Sequence, residues 1–455
     1  MSDTLQPGPS NTTVRKGIAI ESTAVVKPTL SRVPLIGRIN RAIGSTSERW
    51  ARALVIKHLS SMKRGHLLLV EGDKEWHLGA PHNAENDDDS HICATIIVQD
   101  PAAFSYIALN GVVGAAEAYM DGHWTTPDLV QVVRFMVFNM TALKGMDKER
   151  SVTNKVALTA LDLIRRNSVS RARKNISAHY DLGNDFFELF LDPTMMYSSA
   201  LFDGKEMPLA AASLNKLDAI CHKLQLNADD HLVEIGTGWG GMALYAASNF
   251  GCRVTTTTLS QQQHDFTRAA VVRANLQDRV TVVMKDYREL EGRYDKLVSI
   301  EMIEAVGHQY FADYFRKCSE LLKPDGLMAL QAITISDQRY DQARKSVDFI
   351  QRYIFPGGCL PSMHIIAKHV AQDTDMCILT VSDMAKDYAK TLAVWRESFS
   401  ERTDKIKSLG FSDQFIRMWM YYLCYCEGGF EERVIGATQI VMAKPDYRPA
   451  LEFAL

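Results

Sequence analysis

Two groups of residues have the types and spacing to do chemistry. The first is the turn HLVEIGTGWGG at 231–241, an apolar run that ends at Glu234 and opens into Gly236, Gly238, Gly240 and Gly241. Glycines let a chain turn sharply and let a ligand approach the main chain closely. In open α/β sheets, ligands bind outside the carboxyl ends of the strands. Such a turn also suits dinucleotides, but three features favour S-adenosylmethionine. Glu234 offers a carboxylate for an ammonium group. Asp286, at the end of a third strand, suits an adenine amino group. Trp239 crowds the space that a diphosphate needs. The second strand ends TTTTLSQQQ with no acid for a ribose diol, so Thr258, Ser260 and Gln263 are the candidates for those hydrogen bonds. The second group is a pair of aromatic stripes at helical spacing. Met384, Tyr388, Leu392, Trp395 and Phe399 form one; Phe415, Trp419, Tyr422 and Cys426 form the other. Their plain reading is core packing.

The elements that must position these residues follow from periodicity. From 213 onward, strands alternate with helices. HLVEI, RVTTTTLS, RVTVVMKD, YDKLVSIE and GLMALQAITI are spaced to leave room for crossover helices, which predicts a doubly wound, mostly parallel α/β sheet. ATQIVMAK (437–444) is expected as a late antiparallel strand. Upstream, GHLLLVEG, KEWHLGA and HICATIIVQD alternate as strands around the acidic loop Glu85–Asp89, and 101–145 reads as helices. The chain therefore divides into a disordered or basic tail (1–48), a small α+β domain (49–146), a basic linker (147–176) and the large α/β domain (177–447). The basic stretch RRNSVSRARK (165–174) is either solvated linker or a phosphate contact.

Bulk properties narrow the function classes. A net charge of −3 carries no bias toward nucleic acid. The eight cysteines form no CxxC pair and show no zinc spacing, so they read as reduced thiols of a cytoplasmic protein with no metal centre. No apolar run approaches the ~18 residues of a membrane-spanning helix, so any membrane contact is peripheral. The basic residues scattered through the first 65 positions suit either solvent or anionic headgroups.

Seven motifs together resemble the cyclopropane-fatty-acyl-phospholipid synthases and mycolic acid cyclopropane synthases. They are AHYDLGNDFFELFLDPTMMYSSALF (178–202), EIGTGWGG, TLSQQQ, KDYREL, SIEMIEAVGH, RYIFPGGCLPS (352–362) and YYLCYCEGGF (421–430). The resemblance implies a seven-stranded methyltransferase sheet with a helical cover over a hydrophobic acyl tunnel. It implies methyl transfer from S-adenosylmethionine to a cis double bond of an unsaturated phospholipid in the bilayer, giving a cyclopropane ring. A methyl-branched or methylene product, or an inactive lipid-binding relative, are the rival expectations. Cofactor contacts carry over to Tyr197, Ser198, Gly236, Gly238, Thr258 through Leu259 and Ser260 to Gln263, and Asp286-Tyr287. A bound bicarbonate is implied as the base, held by Glu304, Gln331, the Ile333 backbone, Tyr388 and the region of Ser199. Ser199 and Gln331 stand where many members have Cys and His. A carboxylate beside an anion requires a shared proton, so a Glu304–bicarbonate–Tyr388 network is expected, with Glu304→Gln losing most turnover. Cys426 matches a cysteine once treated as catalytic, yet a thiol among aromatics is usually inert packing. His179 and His308 lie in motifs without an assigned role. The small N-terminal domain is further expected to serve either homodimer contacts or lipid docking.

Overall fold

The computed structural model describes residues 45–80, 92–140, 182–204 and 206–448. Residues 1–44 of the expected tail, the acidic loop Glu85–Asp89, the basic linker and the first residues of the 178–202 motif, His179 among them, lie outside the described residues, while 45–48 already belong to a helix.

The N-terminal layer runs α1 (Ser45–Leu59), β1 (His66–Glu71), β2 (Lys74–Gly79), β3 (Cys93–Val98), α2 (Ala102–Met120), β4 (Trp124–Thr125) and α3 (Leu129–Phe138). Its sheet has the order β2-β1-β3-β4, with β1 and β3 parallel and the outer pairs antiparallel. The three long strands fall where alternation predicted them. Asp128 starts α3 by accepting a hydrogen bond from the Gln131 amide at 3.1 Å, satisfying one of the helix's open N–H groups.

The large layer begins with α4 (Leu209–Lys223) and β5 (His231–Ile235). It continues α5 (Gly241–Phe250), β6 (Arg253–Thr257), α6 (Gln261–Arg273), β7 (Val280–Val283), β8 (Tyr294–Ile300), α7 (Phe311–Glu320) and β9 (Leu322–Ile335). After α8 (Met363–Asp373) come β10 (Cys377–Asp383), α9 (Ala385–Glu401), α10 (Asp413–Glu431) and β11 (Ile435–Ala443). The sheet order is β10-β11-β9-β8-β5-β6-β7. Strands β5 to β9 run parallel, and β11 returns antiparallel between β9 and β10. The sheet class and the late antiparallel strand are as the sequence predicted. The chain winds outward from β5 through β6 to β7, then restarts at β8 on the other side. That reversal makes the carboxyl ends of β5 and β8 the switch point, where such sheets bind ligands.

Helices α9 and α10 form the cover. Ser412 caps α10, accepting from the Phe415 amide at 3.2 Å. Both aromatic stripes are buried in one apolar cluster with Phe186, Phe187 and Phe190. Trp395 and Trp419 are among the largest fully buried side chains, and truncating either to Ala is worth about 3–5 kcal/mol. The same cluster continues into the N-terminal layer, through Phe104, Trp124 and Phe135. Gly428 of α10 permits this approach: a Cβ there would lie 2.9 Å from Val133 Cγ1 of α3. Polar pins reinforce it. Arg134 Nε donates to Glu432 Oε1 at 2.8 Å, and the Tyr353 hydroxyl donates to Glu117 Oε1 at 2.6 Å. Residues from Ser45 onward thus form one compact unit, and the segment expected as a separate small domain shares its core with the helical cover.

Candidate active site

The turn after β5 takes its shape from glycine. Gly236, Gly238 and Gly240 have φ of 100°, 53° and 88°, values that side-chain-bearing residues rarely adopt. A Cβ at Gly238 would meet nothing within 4 Å, so its face is open. A Cβ at Gly240 would meet Thr267 Cγ2 at 2.6 Å, so this glycine lets α6 close against the turn. Trp239 is buried; its indole N–H donates to Asn184 Oδ1 at 2.8 Å, and its ring packs on Phe187. The expected bulky wall of the turn is therefore fixed by the 178–202 motif.

The acids expected to meet the cofactor are engaged elsewhere. Glu234 Oε2 accepts from Thr256 Oγ1 at 2.6 Å, and Thr256 in turn bonds Thr237. The carboxylate braces the turn from behind, and burial pushes its acid up to about 8. Asp286 accepts from Arg288 through Nε at 2.8 Å, Nη2 at 2.7 Å and the backbone amide at 3.0 Å. These bonds make it shape the turn after β7. Beside it, the buried Tyr287 hydroxyl has no hydrogen-bond partner among the described residues. At the end of β6, Thr258 Oγ1 donates to Gln263 Oε1 at 2.8 Å and accepts from the Ser260 amide at 3.1 Å. Ser260 caps α6, with Leu259 between, so the predicted ribose-binding group is an ordered helix N-terminus.

The turn after β8 meets the glycine turn: a Cβ on Gly236 would sit 3.4 Å from the Met302 side chain. This second turn carries Glu301 and Glu304, both half-buried. Glu301 was not singled out from the sequence. Its Oε1 accepts from the Ser199 amide at 3.0 Å and from Gln331 Nε2 at 2.8 Å. Its Oε2 accepts from the Tyr388 hydroxyl at 2.7 Å. Gln331 is held in turn by Gln439, whose Nε2 donates to Gln331 Oε1 at 3.0 Å. Glu304 Oε1 accepts from the Ile333 amide, while its buried Oε2 has no partner among the described residues. Of the residues expected around a Glu304–bicarbonate–Tyr388 network, Ser199, Gln331 and Tyr388 converge on Glu301, and among the described residues Ile333 alone bonds the Glu304 carboxyl.

The two acids differ in charge for a stated reason. Burial raises both above the ordinary carboxylate range, but three donors favour the ionised form of Glu301. Glu304 has fewer donors and the Glu301 charge beside it, which takes it to about 8. The two environments push the acids apart, the donors favouring charge on Glu301 and burial favouring the proton on Glu304, a division that adjacent acids adopt when their surroundings differ. Lys216 of α4 lies nearby, fully buried, with its ammonium donating to Ser198 Oγ at 2.7 Å. Burial lowers its pKa to about 8, against the pull of Glu301, Asp192 and Glu234.

This geometry tests the expected bicarbonate. The donors that would hold it are consumed by two carboxyl groups of the chain itself. A further anion would lie beside the Glu301 carboxyl with those donors already taken and only a protonated Glu304 Oε2 left to meet it, which costs several kcal/mol. The residues do not fit bicarbonate.

Aromatic rings close the other side. Tyr388 stacks on Phe430 at 4.4 Å and meets Trp395 edge-on at 6.3 Å. Tyr197 lies 5.4 Å from Trp395, and its hydroxyl bonds that of Tyr422 at 2.8 Å. The Trp395 indole N–H has no partner among the described residues. Cys426 sits at the edge of this cluster, where burial pushes its thiol up and keeps it neutral. Signals for Glu301 existed in the sequence: it lies three residues before Glu304 and directly ends β8.

Comparisons with known proteins agree with this architecture. The profile of the mycolic acid cyclopropane synthetase family matches residues 167–440. Tuberculostearic acid methyltransferase UfaA1 of Mycobacterium tuberculosis is 38% identical over 342 residues, covering 73% of this chain and 79% of that protein. Cyclopropane-fatty-acyl-phospholipid synthase of Escherichia coli K12 is 35% identical over 354 residues, 77% of this chain and 88% of that one. The crystal structure of mycolic acid cyclopropane synthase CmaA1 complexed with SAH and CTAB superposes with a TM-score of 0.57 at 30% identity. It covers 60% of this chain and 98% of its own. With the switch-point turns and the seven-stranded sheet in place, the chain belongs to the mycolic acid cyclopropane synthetase family and is a methyltransferase of the S-adenosylmethionine-dependent class.

Proposed function

We propose that the protein binds S-adenosylmethionine on the glycine turn and transfers its methyl carbon to a cis double bond of an unsaturated phospholipid acyl chain, forming a cyclopropane ring. The observation that carries this reading is the pairing of a buried carboxylate turn with an aromatic cluster, directly beside the cofactor turn. An alkene is a poor nucleophile and needs alignment away from water. Its methylation leaves a cation that the faces of Tyr388, Trp395 and Tyr197 suit. The bound cofactor supplies the methyl group as a sulfonium and leaves as a thioether. The chain's own part is to orient the acyl chain, exclude water and take up the proton that ring closure releases.

The lipid reaches the site from a membrane surface. Among the described residues, no helix is long and apolar enough to cross a membrane. The N-terminal layer exposes Trp50, Leu109 and Val112, which suits peripheral contact with a bilayer. The 38% identity to a tuberculostearic acid methyltransferase supports a second reading, in which the product is a methyl or methylene branch on the acyl chain.

The test is incubation with S-adenosylmethionine and unsaturated phospholipid vesicles, followed by mass spectrometry of the acyl chains and catalytic hydrogenation. A mass gain of one CH2 that resists reduction as a ring supports cyclopropanation. A reducible product supports the methylene reading. No release of S-adenosylhomocysteine sinks both.

A further inference from the structure

We propose that Glu301 is the general base of the reaction, its carboxylate standing where a bound anion would otherwise collect the proton. The inference rests on the acyl-alkene reading above. Three observations carry it. First, Glu301 gathers the donors of three separate elements: the Ser199 amide, Gln331 of β9 and Tyr388 of α9. A carboxylate and a bicarbonate share the same planar pair of acceptor oxygens, so this side chain satisfies the cradle that an exchangeable anion would need. Second, Glu301 holds a φ of 50°, in the left-handed region that a residue with a Cβ enters at a cost. The fold keeps that strain by bonding the Glu301 amide to the Gln331 carbonyl at 2.8 Å, so the carboxylate is pinned from both its backbone and its side chain. Third, its turn lies against the glycine turn, a Cβ on Gly236 falling 3.4 Å from the Met302 side chain, so Glu301 stands at the same carboxyl edge of the sheet as that turn. Glu304, next along the turn, is the weaker candidate: one of its oxygens has no donor to favour an ionised state.

The step balances without any further reagent. The π electrons of the acyl double bond form a bond to the transferred methyl carbon as its bond to sulfur breaks, leaving a cation on the other acyl carbon. The Glu301 carboxylate takes a proton from that methyl group. The C–H electron pair closes the third side of the ring onto the cationic carbon. Glu301 is left as a neutral acid and returns the proton to water after the lipid leaves. A methylene product, reached by a hydride shift between the acyl carbons, needs a proton taken from the same methyl group, so Glu301 serves either product.

The experiment compares wild type, Glu301→Gly and Glu301→Gln on dioleoyl phospholipid vesicles in carbonate-free buffer, with and without added bicarbonate or formate. Wild type is expected to keep its rate within about twofold when bicarbonate is removed. Glu301→Gly, which relieves the backbone strain and opens the cradle, is expected to fall by about 100-fold and to regain at least about tenfold with added bicarbonate or formate. Glu301→Gln fills the cradle with a neutral amide, so it falls as far and is not rescued. Calorimetry with S-adenosylhomocysteine, giving affinity near that of wild type, shows that both variants are folded. Wild-type activity that vanishes without bicarbonate overturns the proposal, as does turnover of either variant near the wild-type rate in carbonate-free buffer. A wild type that makes no product on the vesicles in any buffer overturns the acyl-alkene reading, and this proposal with it.

Discussion

The turns after β5 and β8 lie side by side at one switch point, and they solve the same steric problem in opposite ways. Each must bend the chain through positive φ to leave its strand. In the glycine turn, every such residue is a glycine, at φ of 100°, 53° and 88°, and the backbone is left open at Gly238. In the carboxylate turn the positive φ falls on Glu301, at 50°, and the residue bears a cost of about 1–2 kcal/mol. Where the backbone does the binding, bare glycine is the economical choice. Where a side chain must be aimed, the strain is tolerated because Ser199, Gln331 and Tyr388 over-determine its position.

The largest expected effect breaks the first half of that contrast. Gly238→Val puts a β-branched side chain at φ of 53° and projects it into the open face of the turn. Affinity for S-adenosylhomocysteine is expected to fall by at least about 100-fold by calorimetry, about 2.7 kcal/mol. Affinity within tenfold of wild type removes the turn from the cofactor site. The second half is probed by Tyr388→Phe, which deletes one donor to Glu301 while keeping the ring. Turnover is expected to drop about 10- to 100-fold with cofactor affinity kept. The lost donor favoured the ionised carboxylate, so the pKa of Glu301 rises. The acid limb of the kcat profile should therefore move to higher pH. An unmoved limb would separate Tyr388 from the base.

The contrast also explains what was legible in the sequence. The glycine turn is written in consecutive residues, and backbone geometry follows from residue type alone, so Gly236 and Gly238 could be read directly. The strands of the large sheet were equally plain, because burial on both faces makes near-continuous apolar runs such as HLVEI. Glu301 was passed over because its meaning comes from partners 30, 87 and 102 positions away in the chain. Glu234 and Asp286 have protein contacts that were missed in a related way. Both were assigned to a ligand by their place at a strand end, yet each meets a nearer protein donor, Thr256 and Arg288. The N-terminal layer was read as its own domain because its strands are local in sequence. Its fusion with the cover depends on Gly428 admitting Val133, which no local pattern records.

A smaller effect separates the two acids of the carboxylate turn. With a folded-state pKa near 8, Glu304 is neutral at pH 7, and Glu304→Gln copies its protonated form. Turnover is expected to stay within about tenfold, in contrast to Glu301→Gln; loss on the same scale would return the base to Glu304. Stability supplies an independent check. An acid whose pKa is raised on folding holds its proton longer in the native state, so its contribution to stability falls as pH rises from the ordinary carboxylate range through about 8. The amide does not titrate. The melting temperature of Glu304→Gln should therefore gain on wild type between pH 5 and pH 9, by about 3–6 °C for a buried group of this kind. A constant gap would mean that Glu304 ionises freely in the folded protein.

The smallest effect bounds how far the chemistry of the carboxylate turn extends. Cys426 lies on α10 against the aromatic cluster, one turn beyond Tyr422, and puts a thiol on that wall. Reactive cysteines need a cation or a helix N-terminus to draw out the thiolate. Here burial works the other way, with Asp348 and Cys424 adding to it, and the thiol stays protonated across the working range. Its contribution is then one of volume and weak polarity, which Ser nearly reproduces. Cys426→Ser is expected to keep kcat within about twofold and to lower the melting temperature by no more than about 3 °C. A large fall in kcat with the melting temperature unchanged would give the thiol a part in turnover, and the proton's route would then have to run along α10 as well as through Glu301.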